Sequence, residues 1–239
     1  MILSRRFLIA ATLAAAAPAG AQQTSARPAA PQPESDHGWY RLRSDEGKPF
    51  PNLRIPNELA SQVERLPGLI RAGCETPDVS LFVFTDYNCP WCRKAAADLD
   101  RLMRSDPDLR LGLVNNPVLS PGSRAAALIE LAVMKTYGRK DAYRLHMAAL
   151  ALTGHVDGPR TLDLAARLDL DRAALAGAAA TDPELPAALE RQMQLAESMT
   201  FTVTPSFLIG DAGVPGYPGP NAVAGMIAGM RRCERIACG

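Results

Sequence analysis

Cys89-Pro90-Trp91-Cys92 is the feature that most limits what this chain can be. Two cysteines separated by two residues stand where an apolar run ends and a helical pattern begins. The run, Val79-Ser80-Leu81-Phe82-Val83-Phe84-Thr85, has the length and the β-branched and aromatic content of a buried strand. The stretch after the second cysteine, Arg93 to Met103, is made largely of good helix formers, with Leu99, Leu102 and Met103 at helical spacing. In a setting of strand, CxxC and helix, such a pair reads as a redox site rather than a staple. A structural disulfide and half of a zinc site are the competing explanations. Zinc needs further ligands, and Cys233 and Cys238 are candidates for them.

The ends of the chain say where it works. Ser4-Arg5-Arg6 is a charged start, and Leu8 to Ala17 is apolar but too brief to cross a bilayer as a stable helix. Ala19-Gly20-Ala21 fits a small-residue cleavage site, so residues 1–21 are expected to be a signal peptide and Gln22 the mature start. The paired arginines before Leu8 and Ile9 suit the twin-arginine route. An ordinary secretory signal, or an uncleaved anchor, accounts for the same residues. Export to an oxidising compartment permits disulfides. Residues 22–36, rich in Pro, Ala, Gln and Ser, read as a flexible leader, and 37–239 as the folded domain. That leaves about 200 residues, ample for one core with a subdomain. Removing Arg5 and Arg6 takes the formal charge from +1 to −1, so nothing points to nucleic acid as partner.

Along the body, Trp39–Arg43 reads as a short strand, and 57–71 as a helix interrupted near Pro67-Gly68. Asp108–Val114 alternates in the manner of a second sheet strand. From about 120 to 198 the chain is Ala- and Leu-rich and predicts four or five helices, broken near Gly138, Gly154, Pro159 and Pro183. The strand pattern returns at Ser206–Ile209, with a turn at 210–213. Val214–Tyr217 reads as an edge strand, because Pro215 and Pro218 disfavour a sheet centre. Ala222 to about Arg235 closes the chain as a helix. The order is βαβ, a helical block, a hairpin and a helix.

Phe84-Thr85-Asp86-Tyr87-Asn88-Cys89-Pro90-Trp91-Cys92-Arg93, with Val203-Thr204-Pro205-Ser206-Phe207 much later, resembles the Dsb group of bacterial periplasmic thiol:disulfide oxidoreductases. The layout is similar to DsbA: an α/β thioredoxin-like fold, a central mixed sheet flanked by helices, split by a helical insertion. The resemblance covers roughly 79–235 and implies roles. Cys89 is the exposed nucleophile and Cys92 the buried resolving cysteine. Pro205 is a cis-proline facing them, and Thr204, Pro90 and Trp91 line the substrate groove. It also implies periplasmic localisation, reduced or misfolded exported polypeptides as clients, a membrane redox partner, and no cofactor beyond the dithiol. Three features depart from DsbA. Val83 occupies the position where such proteins often carry a buried acid, so solvent or a nearby basic group is left to take the proton of Cys92. The dipeptide is Pro-Trp rather than Pro-His. The Phe-Thr-Asp run and Thr204 are closer to the isomerases DsbC and DsbG, whose long N-terminal dimerisation domain has no counterpart in the roughly forty residues before the first core strand.

The chemistry suits the placement. A thiolate, not a thiol, attacks a disulfide, and a helix N-terminus favours negative charge through its free N–H groups and macrodipole. Pro90 fits the first helical position, where its missing N–H has no intrahelical partner. Cys233 and Cys238 can pair only if the helix ends between them, and Cys74 can pair with either. His37, His146 and His155 are scattered and read as surface or loop residues; Asp98, Asp100, Arg101 and Arg104 read as a solvated helix face. Three activities are compatible with these residues: forming or reshuffling disulfides in secreted proteins, reducing particular protein thiols, or holding a metal on the CxxC.

Overall fold

The computed structural model describes residues 39–238. The expected signal peptide, the leader and His37 lie outside the described residues. The strands are β1 (Leu53–Arg54), β2 (Ile70–Gly73), β3 (Val79–Thr85), β4 (Leu109–Asn115), β5 (Ser206–Ile209) and β6 (Ala212–Pro215). They form one mixed sheet in the order β1-β6-β5-β3-β4-β2, in which only β3 and β4 run parallel. Helix α1 (Asn57–Ala60) precedes β2, and α2 (Pro90–Ser105) makes the crossover from β3 to β4. Five helices fill the insertion between β4 and β5: α3 (Pro121–Tyr137), α4 (Arg139–Ala151), α5 (Gly158–Arg167), α6 (Arg172–Thr181) and α7 (Glu184–Ser198). The last, α8 (Pro220–Cys233), comes after β6. This is the thioredoxin-like architecture with a helical insertion.

The unbroken apolar run of β3 arises from burial on both faces. Successive side chains of a strand point to opposite sides. Leu81 and Val83 therefore enter a core with Leu111, Leu113, Phe207 and the inner faces of α2, α3 and α4. Phe82 and Phe84 enter a second core with Ile55, Leu69, Leu195 and Phe201. Phe84 and Phe201 meet edge to face, with centroids 5.0 Å apart. Gly112 of β4 pairs with Phe82, and a Cβ there would overlap the Phe82 ring. Polar side chains start the insertion's helices: Ser120 caps α3, Asp157 caps α5 and Asp171 caps α6.

Several expectations change. Trp39–Arg43 is not a strand. Its backbone is held by Asn52, whose side chain accepts from Tyr40 N–H at 2.6 Å and donates to the Tyr40 carbonyl at 2.8 Å, and the strand lies later, at β1. The helix expected over 57–71 is one short helix and a 3₁₀ turn at Val63–Arg65. Leu66 turns extended before Pro67, and Ile70 joins the sheet instead. The strand after the hairpin turn is Ala212–Pro215 and is not an edge, because β1 pairs outside it; Pro215 is tolerated as its last residue. Gly216 and Gly219 take positive φ in the turns expected of them. On α2, Asp98 and Asp100 accept from the hydroxyls of Tyr217 and Tyr143 at 2.7 and 2.6 Å and are docked, whereas Arg101 and Arg104 are solvated as expected. Helix α8 ends at Cys233 with Glu234 left-handed, which lets Cys233 bond to Cys238 and leaves Cys74 free. The two cysteines considered as zinc ligands are therefore bonded to each other.

Candidate active site

Cys89 is the N-cap of α2, with Pro90 as the first helical residue. The loop that delivers it is organised by Asp86. This buried carboxylate accepts from Asn88 N–H at 2.7 Å, from the Ser123 hydroxyl at 2.6 Å and from Leu119 N–H at 2.9 Å. The Asn88 amide donates to Ser123 Oγ and the Val156 carbonyl, both at 2.8 Å, and accepts from Val156 N–H at 2.7 Å. Arg93 donates to the carbonyls of Tyr87 and Gly154 at 3.0 and 2.7 Å. The start of α2 is thus tied to the insertion on two sides, so the cysteines sit on a rigid corner.

The distant Thr204-Pro205 pair meets this corner. The peptide bond between them is cis. The Cys89 thiol donates to the Thr204 carbonyl at 2.9 Å, and Cys89 Sγ accepts from Cys92 N–H at 3.4 Å. The Thr204 hydroxyl is buried and has no hydrogen-bond partner. Cys92 Sγ accepts from Asp86 N–H at 3.5 Å.

The two sulfurs are driven in opposite directions. The Cys89 pKa falls from an ordinary 9.0 to about 6, chiefly through the hydrogen bond from the Cys92 thiol. Burial opposes the fall; the Thr204 side chain and the N–H groups of Cys92 and Trp91 reinforce it. The Cys92 thiol is pushed far up, first by burial and then by its neighbour sulfur. Cys89 is a thiolate near neutrality while Cys92 holds its proton, which is the division of labour that exchange requires.

One expectation fails here. Cys89 is only 4% exposed, because its sulfur is turned onto the Thr204 carbonyl. Pro90 and Trp91 are exposed beside it, and the Lys94 ammonium lies 5.2 Å from the Trp91 ring centroid. Trp91, Val118, Leu119 and Val203 are large exposed hydrophobics, carried by the segments that adjoin the cysteines. His155 is in an exposed loop as expected, whereas His146 is buried against Glu130 and Tyr87. Sequence reasoning missed the roles of Asp86, Asn88, Ser123 and Glu130. Apart from local bonds, the partners of Asp86 and Asn88 lie more than 30 residues away and those of Glu130 lie 15 to 43 away, and only the adjacency of Asp86 and Asn88 to Cys89 hinted at them.

With this geometry the comparisons with known proteins become interpretable. The sequence profile of the DSBA-like thioredoxin domain matches residues 80–228. The chain belongs to that family. A thioredoxin-like oxidoreductase from Silicibacter pomeroyi DSS-3 is similar at 30% identity and TM-score 0.66, over 72% of this chain and 98% of that one. A periplasmic thioredoxin-like protein from Salmonella enterica serovar Typhimurium shares the fold at 22% identity and TM-score 0.63, over 72% and 94%. So does the thiol-disulfide exchange protein alpha-DsbA2 from Wolbachia pipientis, at 20% and 0.63, over 73% and 96%. No curated protein sequence matches. In this chain the cis Thr204-Pro205 pair meets the CxxC through the Thr204 carbonyl and Cys89 Sγ.

Proposed function

We propose that this protein is an exported thiol:disulfide oxidoreductase that forms or reshuffles disulfides in secreted polypeptides through Cys89 and Cys92. The observation that carries the proposal is the low-pKa sulfur of Cys89 at the start of α2, facing Thr204-Pro205. Beginning with the Cys89–Cys92 disulfide, a client thiolate attacks Cys89 Sγ. The intramolecular S–S bond breaks, and Cys92 leaves as a thiolate and takes up a proton. A second client thiolate then attacks the client sulfur of the mixed disulfide and expels Cys89 as a thiolate. Two electrons pass from the client dithiol to the protein, and Cys89 departs readily because its thiolate is stabilised. Reshuffling starts from the reduced form, with Cys89 attacking a client disulfide.

The apolar rim of Trp91, Val118, Leu119 and Val203 suits unfolded segments, and backbone contacts along the Thr204-Pro205 segment give breadth rather than sequence specificity. Periplasmic residence is inferred from the N-terminal signal and agrees with the Salmonella relative; a membrane partner then reoxidises the dithiol. The test is refolding of a reduced, unfolded disulfide protein, with alkylation trapping of the resting redox state in cells. Catalysis lost in Cys89→Ser and a resting disulfide support the proposal. A resting dithiol rules out disulfide donation; refolding of a scrambled substrate then separates reshuffling from reduction.

A further inference from the structure

Cys92 has to lose and regain a proton in every cycle, yet it is buried, and burial holds its thiol strongly protonated. A small cavity of about 10 Å³ lies against it, the room of roughly one water molecule. Val83, Leu113 and Pro205 are among its lining residues, and its ionisable groups are Cys92, Tyr143 and His146. The Tyr143 hydroxyl is already committed, donating to Asp100.

His146 of α4 is 1% exposed. Its Nδ1 lies 2.6 Å from Glu130 Oε2 of α3. Glu130 also accepts from the Tyr87 hydroxyl, and from the Asn115 amide at 2.6 Å. Tyr87 and Asn115 both donate to Glu130, so its carboxyl faces Nδ1 as an acceptor. It therefore draws the imidazole proton to Nδ1 and leaves Nε2 as a lone pair. That Nε2 is buried and has no hydrogen-bond partner, on a residue that lines the same cavity as Cys92.

We propose that His146, oriented by Glu130, is the proton acceptor and donor for Cys92. The proposal rests on exchange at Cys89–Cys92 and adds the group that takes and returns the Cys92 proton. When Cys89 carries a mixed disulfide, the Cys92 thiol gives its proton to Nε2. The resulting thiolate attacks Cys89 Sγ, an S–S bond forms between them, and the client sulfur leaves as a thiolate. In the reverse direction the imidazolium returns the proton as Cys92 is expelled. The groups facing His146 are Glu130 from α3, Tyr87 from the loop after β3, Cys92 from α2, and Tyr143 from its own helix with Asp100 behind it.

The test uses the full protein with Cys74→Ser, reduced at the active site and mixed with an aromatic disulfide whose leaving thiolate is coloured. The first equivalent reports attack by Cys89, the second attack by Cys92. His146→Gln is expected to slow the second by about a hundredfold and change its pH profile, with the first intact. Glu130→Gln is expected to slow the second phase less. An unchanged second phase and pH profile in His146→Gln overturns the proposal. Loss of the first phase in the parent protein instead overturns exchange at Cys89 itself. Imidazole nitrogen NMR of the unsubstituted protein gives a measurement free of folding effects. The His146 ring signals should respond to Cys92 oxidation, and indifference overturns the proposal.

Discussion

Replacing Cys92 with alanine isolates the strongest influence on Cys89. The Cys92 thiol supplies the largest stabilisation of the Cys89 thiolate, while the N–H groups of Cys92 and Trp91 and the Thr204 side chain supply smaller ones. Cys92→Ala removes the first and leaves the others. A hydrogen bond to a charged group contributes about 1.5–3 kcal/mol, which at ~1.4 kcal/mol per pKa unit raises Cys89 from about 6 to about 7–8. At pH 7 the thiolate fraction then falls from about nine-tenths to between about a half and a tenth. The assay is a titration of ultraviolet thiolate absorbance in the Cys74→Ser background. Absorbance reads ionisation directly, whereas alkylation rates mix it with nucleophilicity, which rises with pKa. A pKa that stays near 6 refutes the reasoning, because the start of the helix would then suffice alone. A return to the full ordinary value of 9.0 refutes it too, because the backbone donors would then contribute nothing.

The stability of the reduced protein should track Cys89: with a folded pKa of about 6 and an unfolded one of about 8.5–9, the thiolate's contribution is complete above the unfolded value and is lost as pH falls through 6. Urea unfolding should show up to ~4 kcal/mol of this dependence in the reduced form and none of it in the oxidised form. Asp86→Ala strands three donors and should cost at least ~3 kcal/mol in the same experiment, while slowing exchange by loosening the start of α2. Gly112→Ala should cost about 1–3 kcal/mol through its overlap with Phe82, read as a lower midpoint with exchange rates unchanged. Replacing both Cys233 and Cys238 with serine should cost roughly 2 kcal/mol by opening a short loop, and should leave the first exchange phase intact.

The strands β3 and β5 were legible because burial on both faces writes a continuous apolar run, and α2 because its helix formers come directly after. The insertion's breaks were legible because Gly138 takes positive φ and Asp157 caps a helix. Illegible parts depend on distant partners. Strand β2 is four residues after a Pro-Gly turn and takes its identity from pairing with β4. Strand β6 escapes the edge only because two residues of β1 pair with it. His146 sits in an amphipathic helix with no local mark of its function. Its partners Glu130 and Tyr87 are 16 and 59 residues away, so only the fold makes them a group. The nucleophile was legible from the CxxC, but its cover by Thr204 was not, since that contact spans 115 residues.

The reduction potential of the Cys89–Cys92 couple, measured by equilibration with glutathione at about pH 7, tests the central claim most directly. A Cys89 pKa of about 6, against about 7 in thioredoxin, stabilises the reduced form by ~1 kcal/mol more, or roughly 20 mV. A potential less negative than about −250 mV is expected of a disulfide donor built this way. A value at or below thioredoxin's, about −270 mV, contradicts it and makes the pair a reductant.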